Sequence, residues 1–133
     1  MELIVDANIL FAALIKDSKT AHLLLHNSLI LYTPEFVLEE FARYKKEILR
    51  KTKRSNTDFS DFFSILENRL HVLSKEEVAK QISKAKDISP DPKDVPYFAC
   101  ALYKKCSLWS NDKALKNQDV VTVLATHELV NLL

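Results

Sequence analysis

Short apolar runs alternate with amphipathic helical stretches along the whole chain. That is the pattern of an α/β protein, a three-layer α/β/α sandwich around a central, mostly parallel sheet of about four to five strands. Glu2 to Val5 reads as a buried strand, and a helical stretch follows from Ile9 to Ile15. A second helical pattern, from Ser18 or Lys19 to Asn27, gives way to the apolar run Leu29-Ile30-Leu31-Tyr32. Thr33-Pro34 has the form of a helix start, a capping hydroxyl followed by proline at the first helical position. The helix it opens is expected to reach about Arg50.

Lys51 to Asn56 is a polar, basic connection, and Thr57 to Leu70 reads as another helix. His71-Val72-Leu73 is a short strand. Ser74 and Glu77 stand at capping-box spacing and start a helix to about Lys86. Asp87 to Lys93, with Pro90 and Pro92, is a loop. Val95 to Cys106 is helical, Leu108-Trp109-Ser110 and Val120 to Leu124 are strands, and Thr126 to Leu133 is a closing helix. No repeat, low-complexity tract or linker interrupts the series, so residues 1–133 are expected to form a single domain. The helical insertion between about Pro34 and Leu70 is its largest elaboration.

A length of 133 residues is enough to bury a core without disulfides or structural zinc. Hydrophobic content of 47% and charged content of 28% are those of a soluble globular chain. A net charge of +1 exerts no global pull on nucleic acid, so any such binding rests on local patches. Glycine is absent, which excludes Gly-rich phosphate loops, dinucleotide fingerprints and the G-x-S-x-G elbow of serine hydrolases. Cys100 and Cys106, placed on one helix, would point roughly 120° apart and could not bridge each other. They read as reduced, partly buried thiols. The amino terminus carries Glu2 and Asp6 without a basic n-region, and no apolar run approaches a membrane span. The expected compartment is the cytoplasm.

Four acidic positions carry the functional signal: Asp6, Glu40, Asp94 and Asp112. In an open α/β sheet the binding crevice lies at the carboxyl ends of the strands. Asp6 and Asp112 closely follow strands, and Asp94 falls in the first turn of its helix at the same edge, where the helix dipole should favour its ionised form. Glu39 and Glu40 compete for the fourth place. Val37, Phe41, Tyr44 and Ile48 form a helical stripe; at about 100° per residue, Glu40 lies roughly 70° from its centre and Glu39 nearly opposite. Glu40 is therefore the candidate. Carboxylates gathered at one edge repel one another unless a divalent cation lies among them, and such a cation most often serves phosphate chemistry.

Each acid also has a plainer explanation. Asp6 or Asn8 could cap the first helix, Asp91 and Asp94 have the spacing of a reciprocal cap around Pro92, and Asp112 could be a turn residue. Glu40 alone could be a solvated helix residue. Independent capping does not explain why all four fall at one edge.

In order and spacing, Leu3-Ile4-Val5-Asp6-Ala7-Asn8, Val37-Leu38-Glu39-Glu40-Phe41, Asp94-Val95-Pro96-Tyr97-Phe98-Ala99 and Leu108-Trp109-Ser110-Asn111-Asp112 resemble the PIN domain family over residues 2 to about 124. The resemblance implies a PIN-like fold and a metal-dependent nuclease acting on RNA. Asp6, Glu40, Asp94 and Asp112 would be its catalytic, metal-binding acids, holding one or two Mg²⁺ or Mn²⁺ ions, with Asn8, Ser110 and Asn111 as polar supports. Small members of this kind resemble the toxin half of VapBC toxin–antitoxin pairs, which implies a homodimer and an antitoxin protein as partner. The chain departs from the family at Ala7 and Ser110, where Thr is common, and at Lys105-Cys106-Ser107, where a glycine is frequent.

RNA needs a grip beyond the acids. The basic run Lys45, Lys46, Arg50, Lys51, Lys53 and Arg54 is the candidate, with Lys51, Lys53 and Arg54 foremost, against the plain reading of helix-end charges. His22 and His26 have zinc-binding spacing without an accompanying ligand. Tyr97, Phe98 and Trp109 suit core packing better than base stacking. Among rival readings, a haloacid-dehalogenase-like phosphatase would want an acid where Asn8 stands. A receiver domain would want Asp after the third strand, where Ser74 stands. A non-catalytic PIN-like scaffold binding RNA or protein is the third.

Overall fold

The computed structural model describes residues 1–15, 18–52 and 55–133. Its elements, in chain order, are β1 (Glu2–Val5), α1 (Ala7–Ile15), α2 (Ser18–Leu24), β2 (Ile30–Pro34), α3 (Glu35–Arg43), α4 (Lys45–Thr52), α5 (Asn56–Arg69), β3 (Leu70–Leu73), α6 (Lys75–Val78), α7 (Ile82–Ile88), α8 (Val95–Lys104), β4 (Ser107–Trp109), β5 (Val123–Leu124) and α9 (Thr126–Leu132). Among the described residues the strands form one five-stranded sheet in the order β3-β2-β1-β4-β5, every pairing parallel. Helices flank it, as the alternation of elements predicts.

β1 is the middle strand. Leu3, Ile4 and Val5 are all buried in succession, as befits a parallel strand covered on both faces. Its register is the fact that places the site: Val5 is opposite Trp109 on one side, and Ile4 is opposite Tyr32 on the other. One residue beyond that rank, Asp6 and Ser110 emerge together at the carboxyl edge.

The helical insertion is pinned by phenylalanines. Phe41 of α3 stacks on Phe11 of α1 at 4.9 Å between ring centroids, and Phe59 and Phe63 of α5 stack on each other at 5.9 Å beside it. Burial of this cluster fixes the rotation of α3, and with it the direction of its acidic flank. Arg69 ties the far end of α5 to the turn before β2, its guanidinium donating to the carbonyls of Leu24 (2.9 Å), His26 (2.6 Å) and Leu29 (3.0 Å).

Several expectations need correction. Thr33 does not cap a helix; it is buried in β2, its hydroxyl donating to the Val5 carbonyl, and Pro34 stands at the cap position of α3. The helix expected to run to Arg50 breaks at Tyr44, which is exposed rather than part of the buried stripe. The basic connection begins later than expected, because α4 extends to Thr52; Lys53 and Arg54 lie outside the described residues. The Ser74–Glu77 capping box is present, but a tight turn at Ala79–Gln81 divides the helix it opens. The loop expected from Asp87 starts only after Ile88 and carries a tight turn at Pro92–Asp94. α8 stops at Lys104, leaving Cys106 beyond it.

The strand expected from Val120 is reduced to Val123–Leu124. The Gln118 amide satisfies this stretch itself, accepting from the Val120 and Val121 N–H groups and donating to the Val121 carbonyl. Among the described residues no helix is long and apolar enough to cross a membrane.

Candidate functional site

Asp6 is the acid with the tightest surroundings. It is buried and directly follows β1, where its backbone N–H donates to the Trp109 carbonyl. One carboxylate oxygen accepts the Asn8 N–H at 3.2 Å, so Asp6 does cap α1, in keeping with the plainer explanation of it. The other oxygen accepts the Ser110 hydroxyl at 2.6 Å. One carboxylate thus both caps α1 and bonds to Ser110. The Ser110 oxygen in turn accepts the Asp112 N–H at 3.1 Å, so one hydroxyl joins two of the four acids.

Asp94 sits half-buried at the cap position of α8, yet its side chain makes no capping hydrogen bond. Asp91 caps the chain one turn earlier, accepting the Lys93 N–H at 2.9 Å, so the expected reciprocal cap does not form. Burial, followed by the charges of Asp6, Asp91 and Asp112, pushes the Asp94 carboxyl up to about 6. The net shift runs opposite to the ionised form that the helix dipole favours. A dipole end counts as half a charge at most and is partly solvated. Three carboxylates and lost hydration outweigh it.

Glu40 is half-buried and Glu39 exposed, the division that the helical stripe predicts. Its link to the other acids runs through Tyr97. This buried phenol accepts the Ala7 N–H at 3.0 Å, between Asp6 and Asn8, and packs edge-on against Phe36 of α3. Its ionisation is driven upward by burial first, then by Asp6, Asp94 and Glu40. Three acids from three elements therefore act on one hydroxyl. Tyr97 reads in sequence as core packing in preference to base stacking, because nothing in Asp94-Val95-Pro96-Tyr97 signals that its oxygen meets the start of α1.

Asp112 is exposed at this edge and caps the tight turn Lys113–Lys116, accepting the Ala114 N–H at 3.0 Å. Asn8 is exposed, and its described bond to Asp6 is a backbone one. The Asn111 side-chain oxygen accepts the Thr126 N–H at 2.8 Å, joining the end of β4 to α9. Of the three expected polar supports, Ser110 is the one whose side chain touches an acid.

The donor set is all carboxylate oxygen, the kind that suits a hard divalent cation. Asp94 lies in the field of Asp6 and Asp112, which is the arrangement a cation relieves. Among the described residues no three His, Cys, Asp or Glu side chains stand close enough together to hold a metal ion. What the acids share is a field, which adds to burial in raising Asp94.

The remaining candidates lie elsewhere. Lys51 is exposed on α4 and pairs with Glu47 at 3.5 Å. His26 falls beyond α2 and uses its Nδ1 to accept the Ser28 N–H, so it does not share a helix face with His22. Trp109 and Phe98 are buried; the Trp109 indole donates to the Thr126 hydroxyl at 3.1 Å. Cys100 is buried and Cys106 half-buried, and burial raises their thiols to about 12 and about 11, so both stay protonated.

No curated protein matches the chain. Among solved structures it is similar to a chain of VapBC2 from Rickettsia felis bound to a DNA fragment from their promoter. The TM-score is 0.65 at 15% identity, covering 94% of this chain and 98% of that one, a likeness of fold. The family profile of the PIN domain matches residues 4–131, a span that takes in all four acids. A match over nearly the whole chain sets the phosphatase and receiver readings aside: this chain belongs to the PIN domain family.

Proposed function

We propose that the protein is a divalent-metal-dependent endoribonuclease, the toxin half of a toxin–antitoxin pair. What carries the reading is the Asp6–Ser110–Asp112 chain of hydrogen bonds at the carboxyl edge, with Asp94 in the same electrostatic field. Family membership and the fold shared with a chain of VapBC2 support it.

Asp6, Asp94, Asp112 and Glu40 are the residues we assign to holding Mg²⁺ or Mn²⁺. When bound, such an ion offsets phosphodiester charge and lowers the pKa of a ligated water. The chain's own part is placement. Ser110 holds one Asp6 oxygen in a fixed direction, and the Asn8 N–H holds the other. The Asp94 side chain carries no capping bond that would restrain it. Tyr97, buried, accepts the Ala7 N–H and so ties the start of α8 to the residue that follows Asp6. The products expected of such hydrolysis are 5′-phosphate and 3′-hydroxyl ends.

An antitoxin protein, self-association as a homodimer, a cytoplasmic location and a single domain over residues 1–133 belong to the same proposal. Lys51, with Lys53 and Arg54, is assigned to RNA phosphates. The decisive experiment is cleavage of RNA with Mn²⁺ by the wild type and by Asp6→Asn. Metal-dependent cleavage lost in the variant supports the proposal; equal cleavage by both rejects it. Mn²⁺ binding without cleavage would favour the non-catalytic scaffold.

A further inference from the structure

Beside the acids, a cavity of about 270 Å³ opens between the end of β4 and the start of α9, lined by Ser110, Asn111, Asp112, Lys113, Lys116, Ala125 and His127. Ser110 and Asp112 are shared with the acidic edge, so whatever enters this cavity abuts a group held there.

The chemistry of the lining is specific. The Thr126 N–H donates to Asn111 Oδ1, which fixes the other end of that amide as nitrogen. Its two N–H donors have no described partner. His127 offers an exposed flat ring, and Ala125 a small apolar surface. Lys113 is exposed and has no carboxylate partner among the described residues, whereas Lys116 is paired with Glu128. The Thr126 amide is already used, so recognition falls to side chains. A ring for stacking, a fixed donor and a cation at the rim are what an unpaired nucleobase and its phosphate require.

We propose that this cavity receives the nucleobase adjoining the scissile phosphodiester, with His127 stacking on its face and Asn111 donating to an exocyclic carbonyl on its edge. Uracil, cytosine and guanine carry that acceptor and adenine does not, so the site discriminates against adenine. The proposal rests on the nuclease reading for its place beside the reacting bond.

The test uses RNAs that differ only in the base flanking one linkage, cleaved with Mn²⁺. Wild type should favour carbonyl-bearing bases over adenine by about tenfold. Asn111→Ala should bring that ratio close to one. Because it also removes the tie to α9, Asn111→Asp, which keeps the acceptor for Thr126 and loses the donors, should flatten it too. His127→Ala should raise KM for all four bases, and His127→Phe should restore it. An unchanged ratio in both Asn111 variants, or an unchanged KM in His127→Ala, overturns the proposal.

Fluorescence anisotropy of the same RNAs on Asp6→Asn protein separates the two readings. Preferential binding that depends on Asn111, together with a wild type that never cleaves these RNAs with Mn²⁺, keeps the cavity and rejects the nuclease. Cleavage without base preference rejects the cavity alone. Neither cleavage nor preferential binding rejects both.

Discussion

The Ser110 hydroxyl donates to Asp6 at 2.6 Å across 104 positions of chain, and its oxygen also accepts the Asp112 backbone N–H. The bond exists because parallel β1 and β4 are registered Val5 to Trp109, so the next residue of each leaves the sheet beside the other.

Replacing Ser110 with Ala strips a buried carboxylate of its donor and an N–H of its acceptor. The expected loss of stability is about 1–3 kcal/mol, read from urea unfolding, with RNA cleavage falling at least tenfold. Ser110→Thr retains the hydroxyl and should recover most of both. Equal behaviour of the Ala and Thr variants would show that the hydroxyl does not matter.

Asp94 gives a pH signature. Its carboxyl is raised from 3.8 to about 6, so between those values the native state holds a proton that the unfolded state has lost. Stability therefore falls as pH rises through that window. In metal-free protein, Asp94→Asn should unfold later than wild type at pH 8, and the gap should close below pH 4. Adding Mg²⁺ should stabilise wild type more than the variant. A gap that does not change with pH would contradict this assignment.

Arg69 carries three carbonyl bonds at the turn before β2. Arg69→Ala should cost about 2 kcal/mol in chemical denaturation. Lys, lacking the planar fork, should recover only part of it.

Lys105 adopts φ 53 and ψ 49 after α8, the left-handed region that favours glycine. A side chain there costs about 1–2 kcal/mol, offset in glycine by greater freedom of the unfolded chain. Lys105→Gly should raise the midpoint of thermal unfolding, whereas Lys105→Val should lower it.

The middle of the sheet is legible in the sequence because β1 is buried along Leu3, Ile4 and Val5 and so reads as a short apolar run; Glu2–Val5 matches to the residue. The acids are legible because strand ends and helix starts share one edge, and Glu40 because Val37, Phe41 and Ile48 are buried in step. What escapes depends on contacts distant in sequence. The break at Tyr44 is invisible to a periodicity that runs straight through it. Gln118 replaces a strand with its own side-chain bonds, which no pattern of valines reveals. The Tyr97 and Asn111 bonds to Ala7 and Thr126 arise only once the strands are aligned.

Isothermal titration of the protein with Mn²⁺ tests the heart of the account. Wild type should bind one or two ions, and Asp6→Asn and Asp94→Asn should each lose that binding while remaining folded. Absence of binding to the wild type, or equal binding by all three, would contradict it.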